Sequence, residues 1–85
     1  MWPSDHRVRV LVVDTDDQRL TDLADDACAR SMPGHSTIQF GLAALAHRDE
    51  ALDDDERSRL GVEGHSELFG ALVGWFCPER LPSIG

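Results

Sequence analysis

Arg7 to Asp14 reads RVRVLVVD, and what these eight residues do decides the fold of the chain around them. They are rich in β-branched side chains, alternate Arg with Val at first, and then run continuously apolar up to Asp14. That is the pattern of a strand buried on both faces in a parallel sheet, with a helix covering each side. The expectation is therefore a strand over 7–14, and the flanking sequence is read for what would pair with it and cover it.

Downstream, DTDDQRLTDLADDACARS (Asp14–Ser31) supplies a covering helix over 16–30. Thr15 with Gln18 has the form of a capping box, and Asp16 and Asp17 suit the positive end of the helix dipole. Leu20, Leu23, Ala24, Ala27 and Cys28 form one apolar stripe, expected to face the strand, and Pro33-Gly34 ends the helix. HSTIQFGLAALAHRDEAL (His35–Leu52) reads two ways. Ile38, Phe40 and Leu42 alternate as in a strand, while Ile38, Leu42 and Leu45 also fit a helix capped by Ser36. The β-branched, aromatic start and Gly41 favour a strand over 37–42, then a helix over 43–52. Asp53 with Glu56 marks a short acidic helix ending at Gly61. GHSELFGALVGWFCPERLP (Gly64–Pro82) reads as one helix capped by Ser66, or as a short helix over 66–70 followed by a strand over 71–77. Gly70 and Gly74 favour the split. The expected fold is a small α/β domain spanning 1–85, in the order β-α-β-α-(α)-β.

Sixteen acids face eight bases, every base is Arg, and the net charge is −8. Such a chain repels phosphate backbones, which disfavours nucleic acid. Residues 49–85 hold nine of the acids and only three Arg, which admits a basic protein partner and equally serves solubility. The longest nearly uncharged stretch, Leu68 to Cys77, is about half a membrane span. Cys28 and Cys77 make neither a disulfide framework nor a C-x-x-C pair, and no signal-peptide core is present. A cytoplasmic protein with reduced thiols is expected.

Chemistry-bearing clusters are sparse. Asp14 and Asp16, with Asp17, gather at the end of the first strand and are candidate ligands of a weakly held Mg²⁺; capping and dipole roles compete for Asp16 and Asp17. His6, His35, His47 and His65 lack metal-ligand spacing, and His35 and His65, beside Ser36 and Ser66, are expected to be exposed loop residues. The DDDE run at 53–56 lacks the alternating ligands of a calcium loop. Gly34–Leu45 and Gly64–Trp75 look alike as GHS-initiated apolar segments once a gap is allowed, which chance and reuse of a Gly-x-Ser cap explain without a repeat. Nothing pairs a nucleophile with a base, so a non-enzymatic role is expected.

Taken in order, VRVLVVD, ARSMPGHSTIQFGLA, DEAL and LVGWFCPERLPSIG resemble the opening strand, second strand, second helix and third strand with its turn in the receiver domains of response regulators. The resemblance implies a flavodoxin-like fold truncated after its third strand, and a role in two-component signal transduction or transcription regulation. Where the family has an acidic pair holding Mg²⁺, this chain has Asp14 and Thr15, with Asp16 just beyond. The phospho-accepting position falls on Pro78, which cannot accept a phosphoryl group. The resemblance thus implies a degenerate receiver: a regulatory or protein-interaction module without phospho-acceptor chemistry. An alternative is a ribbon-helix-helix repressor or antitoxin. It would read DNA with Arg7, Arg9 and Leu11 and grip a protein partner with its acidic C-terminal segment.

Overall fold

A helix satisfies its own backbone hydrogen bonds, whereas a strand needs a neighbour for every N–H and C=O it buries. The computed structural model, which describes residues 5–32 and 36–81, resolves that competition in favour of helix throughout. Its elements are α1 (His6–Asp14), α2 (Asp17–Arg30), α3 (Thr37–Ala51), α4 (Asp54–Phe76) and a single 3₁₀ turn (Pro78–Arg80). Among the described residues there is no strand, so the expected α/β receiver-like fold is overturned. The ribbon-helix-helix alternative falls with it, because its ribbon would be the segment that forms α1.

The opening octet is helical because its apolar residues also satisfy a helical reading. Val8 and Leu11 are buried and Val12 packs against them, three positions of one helical face. Asp5 caps the start, its side chain accepting from the backbone N–H of Arg7. The Asp5 N–H in turn donates to Glu67 Oε1 at 3.0 Å, fixing α1 on α4. A full set of backbone bonds outweighs a β propensity that reflects fit to a sheet surface more than any intrinsic backbone preference.

α2 follows the expected helix closely. Leu23, Ala24 and Ala27 are buried, but the cap is Asp16, one residue after the expected Thr15, with its side chain accepting from Arg19 N–H at 2.7 Å. The stripe packs on α3 and α4, while α1 lies chiefly against α4. The expected strand over 37–42 and helix over 43–52 are one continuous helix, α3, opened by a capping box of Ser36 and Gln39. The expected acidic helix ending at Gly61 is the first part of α4, with the expected Asp53–Glu56 capping box in place. Gly61 itself stands at φ 67° and ψ −179°, a conformation open essentially to glycine alone, and kinks the helix there. Beyond the kink, the segment expected as a cap at Ser66 and a strand over 71–77 continues as helix to Phe76. Ser36 caps a helix while Ser66 lies within one, so the two GHS segments are not structural equivalents. Pro33-Gly34, His35 and the turn at 82–85 lie outside the described residues.

The core is built from Leu23, Leu60, Leu68, Phe69, Leu72 and Val73, all essentially inaccessible to solvent. Arginine forks stitch its edges. Arg19 Nη2 donates to Ala51 O at 2.7 Å and to Glu56 Oε1 at 2.8 Å, joining α2 to the corner between α3 and α4. Arg30 joins Asp26 on its own helix to Glu50 on α3. Arg80 Nη1 donates to Cys28 O and Ser31 O at 2.9 and 2.6 Å, satisfying carbonyls at the end of α2. Of the three, Arg30 reaches its two carboxylates through different guanidinium nitrogens, Nε and Nη2, the planar fork that Lys lacks. At the same end, Cys28 and Cys77 form a disulfide across 49 residues, where reduced thiols were expected.

Candidate functional site

Two features of α3 stand apart from the rest of the bundle, one on each of its faces. Inward, α3 presents Phe40, Ala44 and His47, and α4 answers with His65 and Phe69. Both histidines are sealed, His47 at 0% and His65 at 1% exposure, so His65 is a core residue and not the exposed loop residue expected. Their rings stack with centroids 5.0 Å apart, and the edges of Phe40, Phe69 and His47 interlock beside them.

Hydrogen-bond geometry fixes the protons. A carbonyl oxygen only accepts, so His47 Nε2, 3.0 Å from Leu23 O, carries its proton, and Nδ1 is left as the acceptor. His65 Nε2 then donates both to His47 Nδ1 at 3.1 Å and to Ala44 O at 2.9 Å. The chain of bonds ties α2 to α3 and α3 to α4 through two neutral imidazoles. His65 Nδ1 is buried without a hydrogen-bond partner.

Burial is the first cause holding both rings neutral, because a charged imidazole loses its hydration there. His65 is pushed down to about 4, with His47 as the second cause and Arg48 adding to it; Asp49 and the Ala44 carbonyl oppose. For His47 the Leu23 carbonyl and Asp26, 3.8 Å from Nε2, oppose the shift, while Arg30 and Arg19 reinforce it. Neither ring is open to solvent. The dyad fastens three helices.

Outward, α3 presents Ile38, Gly41, Leu42 and Leu45, at i, i+3, i+4 and i+7 on one face. Ile38 is 77% exposed, Leu42 62% and Leu45 42%. A Cβ built on Gly41 would meet nothing within 4 Å, so the middle of this face is open. From Thr37 to Ala46 α3 carries no charged side chain. A second exposed apolar strip on α1 is made by Val10 and Val13, and its Val10 lines a 260 Å³ hollow together with Leu11 and Leu60. That strip lies among charges of both signs: Arg7 pairs with Asp5, Arg59 pairs with Asp55, and Asp14 closes its far end.

The candidate Mg²⁺ ligands lie at the corner between α1 and α2. Asp14 is the last residue of α1 and is exposed, and Asp16 spends its Oδ1 on the Arg19 N–H as a helix cap. Among the described residues no group of three His, Cys, Asp or Glu side chains is placed to hold a metal. Among the same residues, no helix is long and apolar enough to cross a membrane.

No family model, curated protein or solved structure matches this chain.

The histidine dyad escaped the sequence reading, although a signal for it existed. Once residues 37–51 are written as a helix, Phe40, Ala44, His47 and Ala51 fall on one face, and His65, Leu68, Phe69 and Leu72 fall on another. Reading Ser66 as a helix cap places the neighbouring His65 in a loop and hides that spacing.

Proposed function

We propose that this protein is a non-enzymatic protein-interaction module that docks through the outer face of α3. One observation carries the reading: α3 turns histidine inward and isoleucine and leucine outward, the reverse of what burying a helix in its own core favours. Burying a side chain of that size is worth about 1.5–3 kcal/mol, and the bundle forgoes most of that at Ile38 and Leu42. Exposed apolar residues are ordinary singly; three in register on an uncharged helical face around an open glycine suit a contact surface. The partner therefore presents an apolar ridge of its own. The acidic half of the chain, which suggested a basic partner, begins at Asp49, one turn past Leu45, and flanks the face without entering it. A cytoplasmic setting would keep Cys28 and Cys77 reduced, and an oxidising one would keep them bridged. The α3 face contains neither residue.

Site-specific photocrosslinking tests this. A photoreactive phenylalanine analogue at Leu42 or Leu45, irradiated in extract of the producing cells, should give a discrete adduct. The same group at Ser58, exposed on α4, should give none. Equal and diffuse labelling at all three positions would sink the reading.

A further inference from the structure

We propose that the outer α3 face is occupied by the same face of a second copy of this chain, the two helices packed antiparallel about a two-fold axis between Gly41 and Leu42. The inference rests on the interaction reading above and names its partner. The face is self-complementary under that operation, as an isologous contact must be. Antiparallel pairing about this centre sets Ile38 of one copy against Leu45 of the other, and Leu42 of each copy over Gly41 of the other. At Gly41 a side chain would meet nothing within 4 Å, so the facing Leu42 has a slot to enter. Small residues at the centre of a helix pair let the backbones approach, and flanking branched residues then pack as knobs.

Charge distribution favours the same occupant. Two chains of net charge −8 repel wherever acids face acids, yet Thr37–Ala46 brings no charge into the contact. Charges beyond about 8 Å are largely screened at physiological salt. The antiparallel register also carries Asp49, one turn beyond Leu45, past the N-terminus of the other copy's α3. That N-terminus, like that of α1, lacks an acid of its own in the first turn, whereas α2 has Asp17 there and α4 has Asp54, Asp55 and Glu56. An incoming carboxylate complements the helix dipole. Three apolar side chains per copy cover less than the roughly 800 Å² per partner of a standard interface, so the association is weak and reversible.

Sedimentation equilibrium from about 10 µM to about 1 mM spans the range expected of so small an interface and should show a monomer–dimer equilibrium. Leu42→Asp, which sets two carboxylates together at the axis, should weaken dimerisation at least tenfold. Gly41→Leu should do the same by filling the slot, although it adds apolar surface and improves helix propensity. A general hydrophobic stickiness would instead be strengthened by it. Ser58→Asp, with the same added charge away from the face, should leave the dimer unchanged. Monomer at every concentration, or a dimer indifferent to both α3 substitutions, overturns the proposal. The photocrosslink separates this failure from failure of the underlying reading. An adduct from Leu42 at twice the chain mass supports the second copy. With the purified chain at about 1 mM, absence of the double-mass adduct overturns the second copy; a discrete adduct of another mass in extract then leaves the interaction reading standing, and no discrete adduct in either overturns both.

Discussion

α2 and α3 are neighbours of nearly equal length, fourteen and fifteen residues, and they distribute their side chains in opposite ways. α2 buries Leu23, Ala24 and Ala27 and gives Asp22 and Asp25 to water. α3 buries His47 and Ala44 and gives Ile38, Leu42 and Leu45 to water. α2 is held by apolar area. α3 is held by Phe40, by the imidazole bonds to Leu23 O and His65, and by the ion pair of Arg30 with Glu50. A helix fastened through polar contacts keeps its apolar residues available for another molecule. The contrast makes predictions whose sizes descend steeply from the inner face of α2 to the outer face of α3.

The largest belongs to α2. Leu23 is 1% exposed, and Leu23→Asp would bury an unpaired charge. Such a change costs roughly 4 kcal/mol, comparable with the whole stability of a small domain. Far-ultraviolet circular dichroism should show the variant largely unfolded at 25 °C. A cooperative melt like that of wild type would mean that α2 does not supply the core.

Next is the join between α2 and α4. The Cys28–Cys77 bridge closes 49 residues of sequence, and a bridge of that span contributes up to about 4 kcal/mol, largely by restricting the unfolded chain. Arg80 still binds the carbonyls of Cys28 and Ser31 after reduction, so the native arrangement is retained at lower stability. Urea midpoints with and without a dithiol reductant measure the loss. An unchanged midpoint would show that the bridge restrains nothing the packing does not.

The inner face of α3 is tested by acid. Both histidines have folded-state pKa values below the ordinary imidazole value, His65 at about 4, so the unfolded chain binds protons first as pH falls. Their contribution is complete above about pH 6.5 and is lost as pH falls from there towards the folded values. Between pH 7.5 and pH 5, before most carboxylates titrate, stability should drop by roughly 2 kcal/mol. His65→Phe keeps a ring in the stack and should remove most of that drop, because the shift of His65 to about 4 accounts for roughly 2 kcal/mol by itself. A wild-type slope of zero in this window would remove the dyad from the account of what holds α3.

How much of this was legible in the sequence follows the same contrast. α2 could be read because its stripe is unambiguous and its wet face is charged, and the Asp53–Glu56 box and Gly61 mark real features of α4. The segments over 7–14, 37–42 and 71–77 carry a strand signal because β-branched and aromatic residues suit a pleated surface. Val8, Leu11 and Val12 satisfy a helical face equally, and what decides between the two is whether each segment finds a partner to bond with. That is a property of the whole chain, invisible in a short window. The outer face of α3 was illegible for a related reason: Ile38 and Leu42 are apolar, and an apolar residue reads as buried until the packing places it outside. Cys28 and Cys77 meet only because α2 and α4 end side by side, which no spacing rule encodes.

The smallest prediction is the sharpest test of the comparison. Leu42→Asp places on α3 the same charge that Leu23→Asp places on α2, in a helix of nearly the same length. At Leu42 the carboxylate stays hydrated, because the residue is already 62% exposed. What is lost is little more than a few tenths of a kcal/mol of helix propensity and local contact. Measured by urea titration at low micromolar concentration, where the monomer dominates, the unfolding free energy should fall by no more than about 0.5 kcal/mol, against roughly 4 for the α2 variant. The ratio of the two effects is then the measure of how far α3 is turned outward. A loss of about 2 kcal/mol at Leu42 in the dilute monomer would mean that the residue is covered by its own chain. The face would then belong to the core, and the surface offered to a partner would have to be sought elsewhere on the bundle.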